Sequence, residues 1–171
     1  MKKTTFFIIN LLLIFGINTV FSQTGTRVVE SSGNFSWQPP MNWTVSEFPG
    51  LKYMIAFGQI EEGFAVNINI VDEAYSGTLR SYVDQSIVQL RTFLQEFRLL
   101  ERADFMTNSG IIGEKVTINA YQQGFFLRQI LYFIPNTDNT IFIMIGSVPE
   151  NVSTNFLTIF DESIKTFEFL K

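Results

Sequence analysis

Residues 64–71 alternate strictly. Phe64, Val66, Ile68 and Ile70 fall on one side, and Ala65, Asn67, Asn69 and Val71 fall on the other. A period of two is that of a β-strand. The preceding apolar runs, 43–48 and 53–60, read as two further strands, and Glu61-Glu62-Gly63 is the turn into the alternating one. The period then changes. Leu79, Val83, Ile87, Leu90, Leu94 and Phe97 recur at three- and four-residue steps and form one stripe of a helix over 78–97. Thr78 stands where a capping hydroxyl belongs. Residues 99–108 read as a hinge-like or edge segment ending in a Ser109-Gly110 turn.

Three more strands follow, at 114–121, 125–134 and 140–148. Gln123-Gly124 marks a tight hairpin, and Pro135 to Asn139 marks a longer turn. The last strand is apolar on both sides, with Ile141, Ile143 and Ile145 on one and Phe142, Met144 and Val148 on the other. A strand of that kind is covered on both faces. After Pro149, with Asn151 or Ser153 as cap, Val152, Phe156, Ile159 or Phe160, Ile164 and Phe167 recur at helical spacing. The order strands, helix, strands, helix predicts an α+β fold. It is an antiparallel β-sheet with helices on both faces, an α/β/α sandwich.

The N-terminus adds a compartment. Lys2 and Lys3 precede an apolar run from Phe6 to Ile17, and Val20 and Ser22 occupy the small-residue positions of a cleavage site. This is the pattern of a secretory signal over 1–22, cleaved before Gln23. The run is too short to span a bilayer, which takes about 20 apolar residues. The expected product is residues 23–171, a single exported domain, periplasmic or secreted, without stable membrane insertion. It retains ten basic residues against sixteen acidic ones, and the basic ones are scattered. Nucleic acid is therefore not an expected partner, because displacing counterions from a polyanion needs clustered Lys and Arg.

The nine residues FSWQPPMNW, 35–43, together with AVNINIVDE, GTLRSYVDQ, FLRQILYF and FDESIKTFEF, resemble the PsbP-like and Mog-like superfamily, which includes exported bacterial domains of unknown function. The resemblance implies an antiparallel sheet between helices. It also implies a role in binding other proteins rather than in catalysis. It supplies no catalytic motif and no cofactor.

Composition agrees with a non-enzymatic reading. There is no histidine and no cysteine, so the commonest general base, the thiol nucleophile and the usual zinc ligands are all missing. Gly-rich phosphate loops and a GxSxG elbow are missing too. Of the adjacent carboxylates, Asp161 and Glu162 diverge on a helix. The remaining polar candidates sit on apolar strands. Arg128 and Gln129 point to opposite faces of theirs, with Arg128 expected to pair with a carboxylate and Gln129 to meet backbone. Either one alternatively orients a ligand in a partly apolar cleft, which Asn67 and Asn69 would join, although these two are expected near water at a gap in the helical cover. Pro39 and Pro40 make a rigid corner outside the ladder. Trp37 and Trp43 then pack at the sheet edge, or alternatively form an exposed aromatic platform. The expected function is an exported binding or accessory module acting by protein–protein interaction. The alternative is a carrier of a small apolar, lipid-like ligand held between sheet and helix.

Overall fold

The computed structural model describes residues 25–171, so the expected signal and its cleavage site lie outside the described residues. Seven strands form one sheet: β3 (Thr44–Ser46), β4 (Ile55–Glu61), β5 (Phe64–Ala74), β6 (Gln95–Met106), β7 (Ile112–Gln122), β8 (Phe125–Pro135) and β9 (Thr140–Pro149). Their order across the sheet is β3-β4-β5-β9-β8-β7-β6, and every neighbouring pair is antiparallel. A small second sheet joins β1 (Val28–Glu30), β2 (Phe35–Trp37) and β10 (Glu168–Phe169). Helix α1 (Leu79–Phe93) carries the chain from β5 to the far edge, and α2 (Thr154–Lys165) follows β9 after a single 3-10 turn, Glu150–Val152.

The tight turns are where the sequence placed them. Glu62 and Gly63 have φ of 53° and 83°, and Gln123 and Gly124 have 53° and 90°. Two successive positive φ values give the hairpin turn whose twist matches the strands, and glycine takes the second position without a Cβ clash.

The two helices cover opposite faces. Tyr82, Val83, Ile87 and Leu90 of α1 pack on Val116, Ile118, Leu131, Phe133, Ile141 and Ile143. Phe156, Phe160 and Ile164 of α2 pack on the other face with Ile68, Ile130, Tyr132 and Met144. Each helix is also riveted by a phenol. The Tyr82 hydroxyl donates to Glu73 Oε2 at 2.6 Å, and that of Tyr132 donates to Asp161 Oδ1. Burial, followed by the adjacent carboxylate, pushes both phenols well above their ordinary pKa. Arg102 of β6 braces α1 against the edge by donating from Nη1 to Asp84, and it ties β6 to β7 by donating from Nε to Glu114.

The fold class stands as expected, with three local differences. The helix ends at Phe93 rather than Phe97, because Leu94 is extended and Glu96 takes a φ of 52°. Leu94 and Phe97 still pack on the α1 core, so their spacing continued the helical stripe while the backbone had already become strand. The hinge-like or edge segment is an edge: it is the body of β6, a twelve-residue edge strand that starts earlier, at Gln95. Residues 28–30, for which the pattern predicts no element, form β1, which is three residues long and shows no period.

A long free edge invites pairing with other chains. In β6 that tendency is blunted by register irregularities between Gln95 and Arg98 and between Leu99 and Glu101. Exposed Arg98, Glu101 and Asp104 lie along it.

Two substitutions test the packing. A Cβ on Gly146 of β9 would meet the Phe160 ring at 2.7 Å. Gly146→Ala is expected to destabilise the fold by about 1–3 kcal/mol through overpacking, read as a lower urea midpoint at unchanged slope. The second concerns Glu30, which is buried in β1 and whose Oε1 accepts the Met54 N–H at 2.8 Å. Burial raises its pKa above the ordinary 4.5, against the lowering effect of that N–H. The unfolded chain therefore gives up this proton first as pH rises, and the native state loses stability between the two values. Glu30→Gln keeps the acceptor and removes the charge. Its melting temperature should exceed the parent's at pH 7, and the gain should disappear once the pH falls below the ordinary value.

Candidate functional site

Helix α2 lies over β8 and β9, and the small sheet continues that layer through Phe35, Trp37 and Phe167. Alongside α2 on this side run β6, β7 and the first half of β8. The result is an open groove beside α2. Its floor is Lys115, Thr117 and Asn119 of β7 with Arg128 and Ile130 of β8, and its α2 wall carries Leu157 and Asp161. Phe126, 46% exposed, rests on Tyr121 with ring centroids 5.0 Å apart, and Leu100 is 47% exposed on the β6 side.

Arg128 stands at the centre. It lines a cleft of about 220 Å³ towards Leu100 and Asp161, and another of about 650 Å³ towards Phe126, Glu150 and Asn151. Its guanidinium donates from Nε to Asn119 Oδ1 at 3.0 Å and from Nη1 to Ser153 Oγ at 2.7 Å, and Nη2 lies 4.0 Å from Glu150. Asn119 in turn donates to Glu150. The expected pairing with a carboxylate is thus the outermost part of a mostly neutral network. Ser153 begins α2, but its hydroxyl makes no capping bond to the helix. It donates to Glu150 O and accepts from Arg128 instead. Further along the groove, Lys115 reaches Asp161 at 3.1 Å.

Gln129 lies on the opposite face. It meets side chains rather than backbone, donating to Ser147 Oγ at 3.1 Å and accepting from Gln122 at 2.6 Å. Asn67 stands across from Ser147, and Ser147 across from Gln129, so one row crosses three strands. Asn67 and Asn69 do not sit near water. They are 2% and 8% exposed, beside Ser147 and Ile145 of β9.

The tryptophans form no platform. Trp37 is fully buried in β2, and Trp43 is 7% exposed, edge-on to Phe160 at 6.0 Å. The proline corner lies outside the ladder as expected, and it turns both indoles inward. Trp43 contributes only a wall to a third cleft, about 720 Å³, on the far side of α2. The other five candidate positions, on β2, β5, β8 and the loop, therefore do not converge with Arg128.

No protein-family model matches the sequence, and no curated protein matches it. Solved structures do. Cyanobacterial PsbP (CyanoP) from Synechocystis superposes with a TM-score of 0.62 at 10% identity, over 91% of this chain and 98% of that one. LpqN, involved in cell envelope biogenesis of Mycobacterium tuberculosis, gives 0.64 at 9% identity over 85% and 90%. A Pseudomonas aeruginosa protein of unknown function gives 0.59 at 13% over 84% and 96%. The fold is PsbP-like. Within this fold the Arg128 groove is built from β6, β7, β8 and α2. Only Arg128 was visible as a site residue in the sequence. Asn119, Ser153 and Glu150 were not, because their convergence depends on strand register.

Arg128→Leu leaves Asn119 Oδ1 and the Ser153 hydroxyl short of a donor. It should destabilise by about 1–3 kcal/mol in urea unfolding. Arg128→Lys should recover little of this, since a single ammonium does not span both acceptors as the guanidinium fork does.

Proposed function

We propose that this chain is an exported, non-enzymatic binding or accessory module that docks another protein in the groove beside α2. The observation that carries the reading is the groove beside α2 on that face. There, exposed Phe126 and Leu100 flank an arginine held in place by Asn119 and Ser153. Exposed apolar side chains rimmed by polar groups are the anatomy of interaction sites. A rigid, partly buried arginine beside aromatic rings is the kind of anchor on which binding energy concentrates. The blunted β6 edge supports docking on the face rather than strand addition at the edge. The Phe residues that an apolar carrier would use as lining are largely packed on one another, as in the contacts of Phe35 with Tyr53, Phe142 and Phe167.

The test is photocrosslinking in the native host, with the reactive residue placed at Leu100 or Phe126 and, as control, at exposed Arg91 on α1. One defined protein adduct from both groove positions and none from Arg91 is expected. Leu100→Arg should reduce that adduct about tenfold without moving the melting temperature. Equal adducts at all three positions, or none, would remove the groove as a docking surface.

A further inference from the structure

The groove beside α2 carries a pattern of charge and aromatic surface that narrows the chemistry of a partner docked there. Opposite residues of a ladder share one face of the sheet, so register writes the groove floor as rows across three strands. Arg98 of β6 stands opposite Asn119 of β7, and Asn119 stands opposite Arg128 of β8. Two arginines thus flank one amide in a single row. Their Cα atoms are two strand spacings apart, about 10 Å, a gap that two arginine side chains can close over one carboxylate.

Both guanidiniums keep donors to spare. The Arg98 side chain is exposed and makes no hydrogen bond or ion pair among the described residues. Arg128 spends Nε on Asn119 and Nη1 on Ser153, which leaves Nη2. Glu150 is 4.0 Å from that nitrogen, beyond hydrogen-bond range, and it already accepts from Asn119. Planar N–H donors on a braced guanidinium match the two oxygens of a carboxylate.

The neighbouring rows set what accompanies that carboxylate. Towards the 123–124 turn the next row is Gln95, Tyr121 and Phe126, with the Phe126 ring exposed on Tyr121. One row to the next is two residues of strand, about 7 Å, which is also the spacing of side chains two apart in an extended segment. On the other side the row is Glu101, Thr117 and Ile130. Exposed Glu101 repels a second carboxylate there, and Lys115 beyond it is taken by Asp161. The pattern therefore has a direction: apolar first, then acidic, then neutral or basic.

We propose that the partner, docking as inferred above, enters the groove with an extended segment whose apolar side chain lies on Phe126. An aspartate or glutamate two positions away is clamped between Arg98 and Arg128.

The experiment is an NMR titration of the 15N-labelled protein with a short capped peptide carrying a phenylalanine and, two positions on, a glutamate, in parallel with its glutamine counterpart, to millimolar concentrations. Saturable movement of the Nε–H signals of Arg98 and Arg128 and of the Tyr121 and Phe126 amides is expected with the glutamate peptide. The glutamine peptide should bind about tenfold more weakly. Arg98→Gln should weaken the glutamate peptide by a similar factor without moving the melting temperature, because the side chain it replaces touches nothing in the fold. Equal binding of the two peptides, equal binding by parent and variant, or no saturable movement with the glutamate peptide would overturn the clamp. Crosslinking from Leu100 and Phe126 tells this failure from that of the docking reading. A defined adduct undiminished by Arg98→Gln keeps the groove as a docking surface and removes the clamp. No adduct in the parent removes the docking reading, and the clamp with it.

Discussion

The antiparallel seam between β5 and β9 holds the molecule together. It runs through eight paired positions, from Asn67 with Ser147 to Ala74 with Thr140. Every other neighbouring pair in the large sheet is joined by consecutive strands. Without the seam, two hairpins on one side and a four-stranded meander on the other would each present an apolar face to water, and small strand assemblies are marginal on their own. Both faces of β9 are apolar, so closing the seam creates a hydrophobic surface above and below it. That requirement explains why one helix lies on each side.

The elements that were legible in the sequence are those long enough to show a period. The alternation in β5, the stripe of α1 and the two-sided apolar character of β9 each span eight or more residues; burial in α1 and β9 follows the written pattern, while β5 buries Asn67 and Asn69 on its polar side as well. The small sheet was not legible. Strands of two or three residues carry no period, and β2 buries all three of its side chains because it is sandwiched rather than amphipathic. The end of α1 was misplaced for a related reason. Leu94 and Phe97 serve the same core from two different backbone conformations.

The polar candidates divide in an instructive way. Arg128 and Gln129 are adjacent in sequence and belong to different chemistry, because a strand sends neighbours to opposite faces. One face assembles a braced cation in an open groove, and the other joins Gln129 to Ser147 and Gln122 on the neighbouring strands. The sequence showed an arginine and a glutamine on an apolar strand. It did not show Asn119 beside the first or Ser147 beside the second, since those neighbours are set by register across a sheet. Tryptophan was the stronger signal and the weaker guide. The two indoles are pieces of core positioned by a proline corner.

Gly146 has a geometric consequence for the groove. Because β9 lacks a side chain there, the Phe160 ring settles against the backbone, and α2 lies lower on the sheet than ordinary side chains would allow. Leu157 and Asp161, on the same helix, form the wall of the Arg128 groove. The depth of that groove, and hence the thickness of whatever fits it, is set by the absence of one methyl group on the central seam.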